Sequence, residues 1–128
     1  MQCETGAIQS ARADAARELA GRYHALVVLK GAASELAGPD GAHATNASGN
    51  PALAAPGMGD VLTGLVAAFA ARLPPFDALR LAVYLHGLAA DRAVAAGDGA
   101  EGFTASRLIA RVAECLNASA AAPDGAPS

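Results

Sequence analysis

The stretch Pro56-Gly57-Met58-Gly59-Asp60-Val61-Leu62-Thr63-Gly64 carries the densest chemistry in this sequence. Gly57 and Gly59 permit unusual backbone angles and bring amide N–H groups close to a ligand. The apolar periodicity that follows predicts a helix from Asp60 to about Arg72, whose positive dipole end and unpaired N–H donors point at the same place. Glycines and helix start together describe an anion site suited to a phosphate. Asp60, at the head of that helix, has two readings. It can be a stabilising helix cap with no chemistry, or it can remove a proton from a substrate hydroxyl that attacks a bound γ- or β-phosphorus. In the second case the anion hole, with Met58 between its glycines, stabilises the charge that develops on the transferring group.

Lys30 ends an apolar run, the place where open α/β sheets put their ligands. It can neutralise phosphate charge or lie near a ribose, and it can equally be a solvated strand-end lysine. Beside it Gly31-Ala32-Ala33-Ser34 offers small residues and backbone amides. Asn46, Ser48, Gly49 and Asn50 can hydrogen-bond a nucleotide or simply build turns. His86, mid-helix beside Gly87, reads as a packed histidine, with no second ligand at zinc spacing. Asp91 pairs with Arg92 or a neighbouring helix and receives no chemistry. Cys3 and Cys115 stand at opposite ends without metal spacing, which fits a reduced, cytoplasmic protein.

The elements that must position these residues follow from periodicity. Ile8 to Arg22 has helical spacing, with Ile8, Ala15, Ala16, Leu19 and Tyr23 on one face and Arg12, Asp14, Arg17 and Glu18 toward water. Leu26-Val27-Val28-Leu29 predicts a strand buried on both faces, as in a parallel sheet. Extended pieces around Ser34–Ala37 and Ala42–Thr45 flank Gly38-Pro39-Asp40-Gly41, a strong hairpin turn. A loop dense in Gly, Asn, Ser and Pro runs from Asn46 to Gly59. After the Asp60 helix, Pro74-Pro75 breaks the pattern. A helix over Phe76–Ala96 and another over Thr104–Asn117, capped by Thr104, complete the inventory. Residues 118–128 are expected to be a disordered tail.

The whole chain narrows the function. Its 128 residues fit one domain, with 53% hydrophobic residues but only 4% aromatic. A core of this kind relies on close helix packing and aliphatic strands. A formal charge of −3 leaves no basic run to neutralise nucleic-acid phosphates. The longest uncharged apolar helical stretch, Val61 to Ala71, falls short of the ~20 residues a membrane span needs, and the start shows no secretory signal pattern. No acidic or imidazole cluster marks a protein-held metal. The expected fold is α/β: one buried parallel-type strand plus a hairpin, packed with about four helices. A strand buried on both faces needs more neighbours than this inventory supplies, so residues 1–117 read as part of a larger α/β domain.

Several segments agree in order and spacing with one family. Ala15-Ala16-Arg17-Glu18-Leu19-Ala20, Val27-Val28-Leu29-Lys30-Gly31-Ala32, Pro39-Asp40-Gly41, Ser48-Gly49-Asn50-Pro51-Ala52-Leu53-Ala54, Gly57 through Gly64 and Tyr84-Leu85-His86-Gly87-Leu88-Ala89 resemble the ADP/ATP-dependent NAD(P)H-hydrate dehydratases of the ribokinase-like superfamily. The resemblance covers about residues 8 to 117 and places them in the C-terminal half of the catalytic domain, giving a partial ribokinase-like fold. It implies dehydration of the S form of hydrated NADH or NADPH back to the reduced cofactor, consuming ADP or ATP with Mg²⁺. The implied nucleotide contacts are Lys30, Gly31, Ala32, Ala33, Ser34, Asn50, Gly57, Met58 and Gly59. Asp60 contacts the hydrated cofactor as base. The family also implies a homo-oligomer, commonly a tetramer, with neither nucleic acid nor membrane as partner. Departures from the family pattern are Ala33-Ser34 for Gly-Thr, Ala55-Pro56 for Thr-Gly or Ser-Gly, and Arg107 for Asp in the last helix. Two other readings use the same residues: a superfamily kinase for a thiazole or pyrimidine alcohol, and a truncated inactive remnant or a half that works only with a separately encoded partner.

Overall fold

The computed structural model describes residues 2–98 and 101–120, with side chains described over 6–98 and 101–118. Four α-helices and three strands follow in the order α1 Gln2–Tyr23, β1 Val27–Leu29, β2 Ser34–Ala37, β3 His43–Asn46, α2 Met58–Ala70, α3 Pro75–Ala95 and α4 Ala105–Ala120, with a short 3₁₀ turn at Pro51–Ala54. No helix among the described residues is long and apolar enough to cross a membrane. The tail expected over 118–128 begins inside α4, and from Ala121 on it lies outside the described residues.

The sheet has the order β1-β2-β3 and is antiparallel throughout. Val28 faces Leu36 across one ladder, and Leu36 faces Ala44 across the next. The hairpin turn forms where Gly-Pro-Asp-Gly predicts it. Gly38 N donates to Ala42 O at 2.8 Å, and Asp40 Oδ1 accepts from Ala42 N at 3.1 Å. The parallel-type strand buried on both faces is corrected here. β1 pairs antiparallel with β2, and all three of its residues are half-buried. Its apolar run still has partners on both faces. Val27 and Leu29 pack beneath α1, while Val28 joins the main core. A strand covered on both sides by so few elements keeps an apolar sequence without reaching full burial.

α1 also buries a different stripe from the one its large apolar residues mark. Ile8 is 59% exposed and Tyr23 66%, whereas Ala16 and Ala20 are buried against Ala37, Val27 and Leu29. Positions 12, 16 and 20 share one helical face, so Arg12 lies on the buried side rather than in water. Alanine lets the helix axis approach the sheet closely, and that approach decides the face.

The main core lies between the sheet and α2, α3 and α4. Met58, Leu62 and Phe69 of α2 meet Leu79, Val83 and Leu85 of α3 and Leu108 and Val112 of α4, with Leu36 from β2. Small residues along α3, Ala78, Ala82, Ala89, Ala90 and Ala93, are fully buried and seat the other helices against it. Arg111 ties α4 to the end of α3 through Asp98 at 3.0 Å. Thr104 Oγ1 accepts from Arg107 N at 3.4 Å and caps α4 as expected.

Candidate active site

A cleft of about 570 Å³ opens between the β1–β2 turn, the segment following β3, and α3. Lys30, Gly31, Ala32 and Ser34 form one wall, and Ser48, Gly49 and Asn50 form another. Its floor is apolar, with Val28, Leu53, Leu62 and Val83. A concave pocket with an apolar floor and a few convergent polar groups is the usual form of a small-molecule site.

Each wall is held from behind. On the first, the Arg12 guanidinium donates to Ala33 O at 2.8 Å and to Leu29 O at 3.0 Å, clasping the ends of the turn that carries Lys30, Gly31 and Ala32. On the second, Asp91 of α3 accepts from Gly49 N and from Asn50 Nδ2, each at 3.0 Å. Asn50 Oδ1 in turn accepts from Ala52 N at 2.9 Å and starts the 3₁₀ turn. The Asn50 side chain is thus a brace, held through both its amide and its carbonyl ends. Asp91 does not pair with Arg92; Arg92 Nη1 instead donates to Cys115 Sγ at 3.6 Å. Ser48 packs against α3 at Gly87, where any Cβ would land on the Ser48 backbone carbonyl carbon at 2.6 Å.

His86 joins this cleft to the start of α2. It is buried, lines the cleft, and its Nε2 lies 2.8 Å from the Met58 carbonyl oxygen. A carbonyl only accepts, so Nε2 carries the proton. Burial lowers the His86 pKa, the bond to Met58 opposes that shift, and the nearby Lys30 charge adds to it. The imidazole is therefore neutral at physiological pH.

α2 begins earlier than its apolar pattern indicates. Gly57 is the cap residue, in the left-handed region at φ 84°, ψ −6°, without a side-chain cap bond. A side chain at that φ is strained, which is the reason for glycine here. Asp60 is consequently the third residue of the helix and not its cap. Val61 N bonds to Gly57 O at 3.2 Å, so helix geometry leaves the N–H groups of Gly59 and Asp60 without intrahelical partners. Asp60 is exposed and borders, with Gly57, a second depression of about 500 Å³ walled by Val61, Leu65, Ile109 and Val112 of α2 and α4.

The expected site residues fall into three groups. Lys30, Gly31, Ala32, Ser34 and Asn50 line the cleft; Gly57 and Asp60 border the second depression. Ala33, Met58 and Gly59 line neither. Ala33 contributes its carbonyl to Arg12, and Met58 is a core side chain whose carbonyl receives His86. Sequence reasoning passed over Arg12, Asp91 and His86 as members of the site. Periodicity assigns a helical charge to water, and their partners are backbone atoms and an amide between 17 and 42 residues away.

Three comparisons bear on this geometry. The sequence profile described as NAD(P)H-hydrate dehydratase matches residues 1–113. A protein of Thermofilum pendens named bifunctional NAD(P)H-hydrate repair enzyme Nnr is 45% identical over 112 residues, covering 87% of this chain and 21% of its own length. An ADP-dependent (S)-NAD(P)H-hydrate dehydratase of Xanthomonas campestris pv. campestris is 38% identical over 117 residues, covering 89% of this chain and 39% of its own. The structure of the ADP/ATP-dependent NAD(P)H-hydrate dehydratase from Bacillus subtilis, co-crystallized with ATP/Mg²⁺ and soaked with CoA, superposes with a TM-score of 0.79 at 34% identity. That match covers 87% of this chain and 41% of the other. The chain therefore spans well under half the length of these relatives. The partial ribokinase-like α/β fold agrees with that likeness, and the chain belongs to the NAD(P)H-hydrate dehydratase family.

Proposed function

We propose that the chain supplies the nucleotide cleft and the catalytic carboxylate of an ADP- or ATP-dependent (S)-NAD(P)H-hydrate dehydratase, a carbon–oxygen lyase of cytoplasmic cofactor repair. One observation carries the reading. Lys30, Gly31, Ala32, Ser34 and Asn50, separated by up to 20 positions in sequence, line one cleft, whose His86 is bonded to Met58 at the glycine-led start of α2. In this reading residues 1–117 form the C-terminal half of the dehydratase domain, and the assembled enzyme is a tetramer. Lys30 offsets phosphate charge, the amides of Gly31 to Ala33 and of Gly59 and the Ser34 hydroxyl receive phosphate oxygens, and Asp60 faces the hydrated cofactor.

Asp60 takes the proton from the ring hydroxyl as that oxygen attacks the terminal phosphorus, whose bond to the leaving nucleotide breaks. Phosphate then departs with the carbon–oxygen electrons, the neighbouring ring carbon loses a proton, and the dihydropyridine is restored. In this reading Mg²⁺ comes in with the nucleotide, as it commonly takes its ligands from substrate phosphates and water. When bound, the ion neutralises phosphate charge.

The test follows the reduced-nicotinamide absorbance after addition of hydrated NADPH, ADP or ATP, and Mg²⁺. Nucleotide-dependent recovery is expected, and Asp60→Asn should lower it by at least ~10²-fold while leaving nucleotide affinity nearly unchanged. Equal turnover by the variant removes Asp60 as the base. Phosphorylated product without recovery of absorbance favours a superfamily kinase.

A further inference from the structure

The turn between β1 and β2 is clasped by a single side chain. Arg12 Nη2 donates to Leu29 O at 3.0 Å and Nη1 to Ala33 O at 2.8 Å, so the guanidinium fork spans the mouth of Lys30-Gly31-Ala32. Gln9, one helical turn earlier, accepts from Nη1 at 3.2 Å and orients the fork. The space where a Gly31 Cβ would lie is filled by the same group, with Arg12 Cζ at 2.8 Å. A trans peptide opposes its C=O and N–H. Anchoring the carbonyls of Leu29 and Ala33 on Arg12 therefore fixes the peptide planes at both ends of the turn from the α1 side. The cleft lies on the opposite side of the sheet, where Val28 lines it, while Val27 and Leu29 pack beneath α1.

We propose that Arg12 is a positioning residue for nucleotide affinity: it fixes the Lys30–Ser34 turn in its binding conformation from the face opposite the ligand. The proposal rests on the reading of the cleft as the adenine-nucleotide site. A lysine cannot replace the fork, because a single ammonium does not hold two carbonyls in planar geometry. Gly31 belongs to the same device, since it leaves room for the guanidinium.

The test measures ADP affinity by titration calorimetry and amide hydrogen exchange at residues 30–34 in the full chain. Arg12→Gln should weaken ADP about tenfold or more and speed exchange at 31–34, with α3 and α4 unchanged. Arg12→Lys should recover part of the loss. Arg17→Gln serves as control, because Arg17 makes only an exposed pair with Asp14 on the same helix. Gly31→Ala displaces the guanidinium without removing it, so it should reproduce the loss, and the double variant should add little more. Arg12→Gln binding ADP within about twofold of wild type overturns the proposal, as do Arg12 and Gly31 losses that multiply independently. If Arg12→Gln does not fold, Gly31→Ala with Arg12→Lys decides the matter by the same criteria. A wild-type chain that binds no ADP defeats the nucleotide reading instead, and exchange at 31–34 then judges the clasp by itself.

Discussion

At the scale of single residues, His86 shows how a neutral group can matter more than a charged one. Its proton on Nε2 satisfies the carbonyl of Met58, the first residue of α2. Burial, aided by the Lys30 charge, lowers its pKa below the ordinary 6.5. The unfolded chain therefore binds more protons than the folded one as pH falls below about 6.5, and stability drops until the folded-state pKa is passed, where it levels off. His86→Gln can still donate to Met58 O and should erase this acid-side loss, seen as a flatter denaturation midpoint between pH 7.5 and 5. His86→Ala leaves the carbonyl only its intrahelical bond, at a cost of about 0.5–1.5 kcal/mol for the lost hydrogen bond. A midpoint that falls equally with pH in His86→Gln would place the titration elsewhere. Asp60 sits differently from its expected position, whereas Asn50 lines the cleft as expected. Asp60 is one turn-fraction inside α2 because Gly57 takes the cap in the left-handed region. Asn50 is spent on Asp91 and Ala52, so its contribution to the cleft is to shape the wall.

At the scale of elements, the cleft exists because the segment after β3 approaches α3 closely enough to be bonded to it. Ser48 lies against Gly87, and Asp91, one helical turn on, takes Gly49 and Asn50. Gly87→Ala should push Ser48 outward, costing about 1–3 kcal/mol through overpacking and weakening ADP binding. An unchanged melting temperature with unchanged ADP affinity would show that the contact is loose. Much of this element plan is legible in sequence. Ser34–Ala37 is read at its observed bounds, and the hairpin turn and the Pro74-Pro75 break stand where Gly and Pro place them. The failures share a cause. Hydrophobic scoring follows large side chains, so it pointed α1 through Ile8 and Tyr23, whereas buried alanines set the actual face and brought Arg12 with it. The apolar run of β1 reported its two covered faces but carried no information on strand direction, which hydrogen bonding to β2 decides. The 3₁₀ turn at Pro51–Ala54 was hidden in a loop-like composition because its start depends on the Asn50 side chain.

At the scale of the whole molecule, two apolar clusters are visible among the described residues, and the floor of the cleft belongs to the larger. The smaller joins α1 to Val27, Ala37 and Leu29; the larger joins α2, α3 and α4 to the other face of the sheet. The β1–β2 turn is fastened to α1 through Arg12, while the opposite cleft wall is fastened to α3 through Asp91. A ligand touching both walls links the clusters, so its binding energy should appear as global stability and not only as local order. The Lys30–Ser34 turn and the Ser48–Asn50 segment both line the cleft. On the proposed function, the chain is expected to bind ADP, although it covers 41% of the Bacillus subtilis dehydratase structure. By linkage, ADP at a hundred times its dissociation constant stabilises the folded state by about 2.7 kcal/mol, which for a chain of this size raises the melting temperature by about 10 °C. Hydrogen exchange should then slow in α1 as well as in α3. Protection confined to α3 and the Ser48–Asn50 segment would mean that the ligand rests on one wall and leaves the α1 cluster to open alone. Turnover is a separate demand. Asp60 is exposed beside an apolar depression of about 500 Å³ open to solvent, and an attacking hydroxyl in competition with water needs that depression covered. The same preparation can thus bind ADP with the full thermal shift and yet regenerate NADPH slowly, a combination that would locate the deficit at Asp60's surroundings and not at the nucleotide cleft.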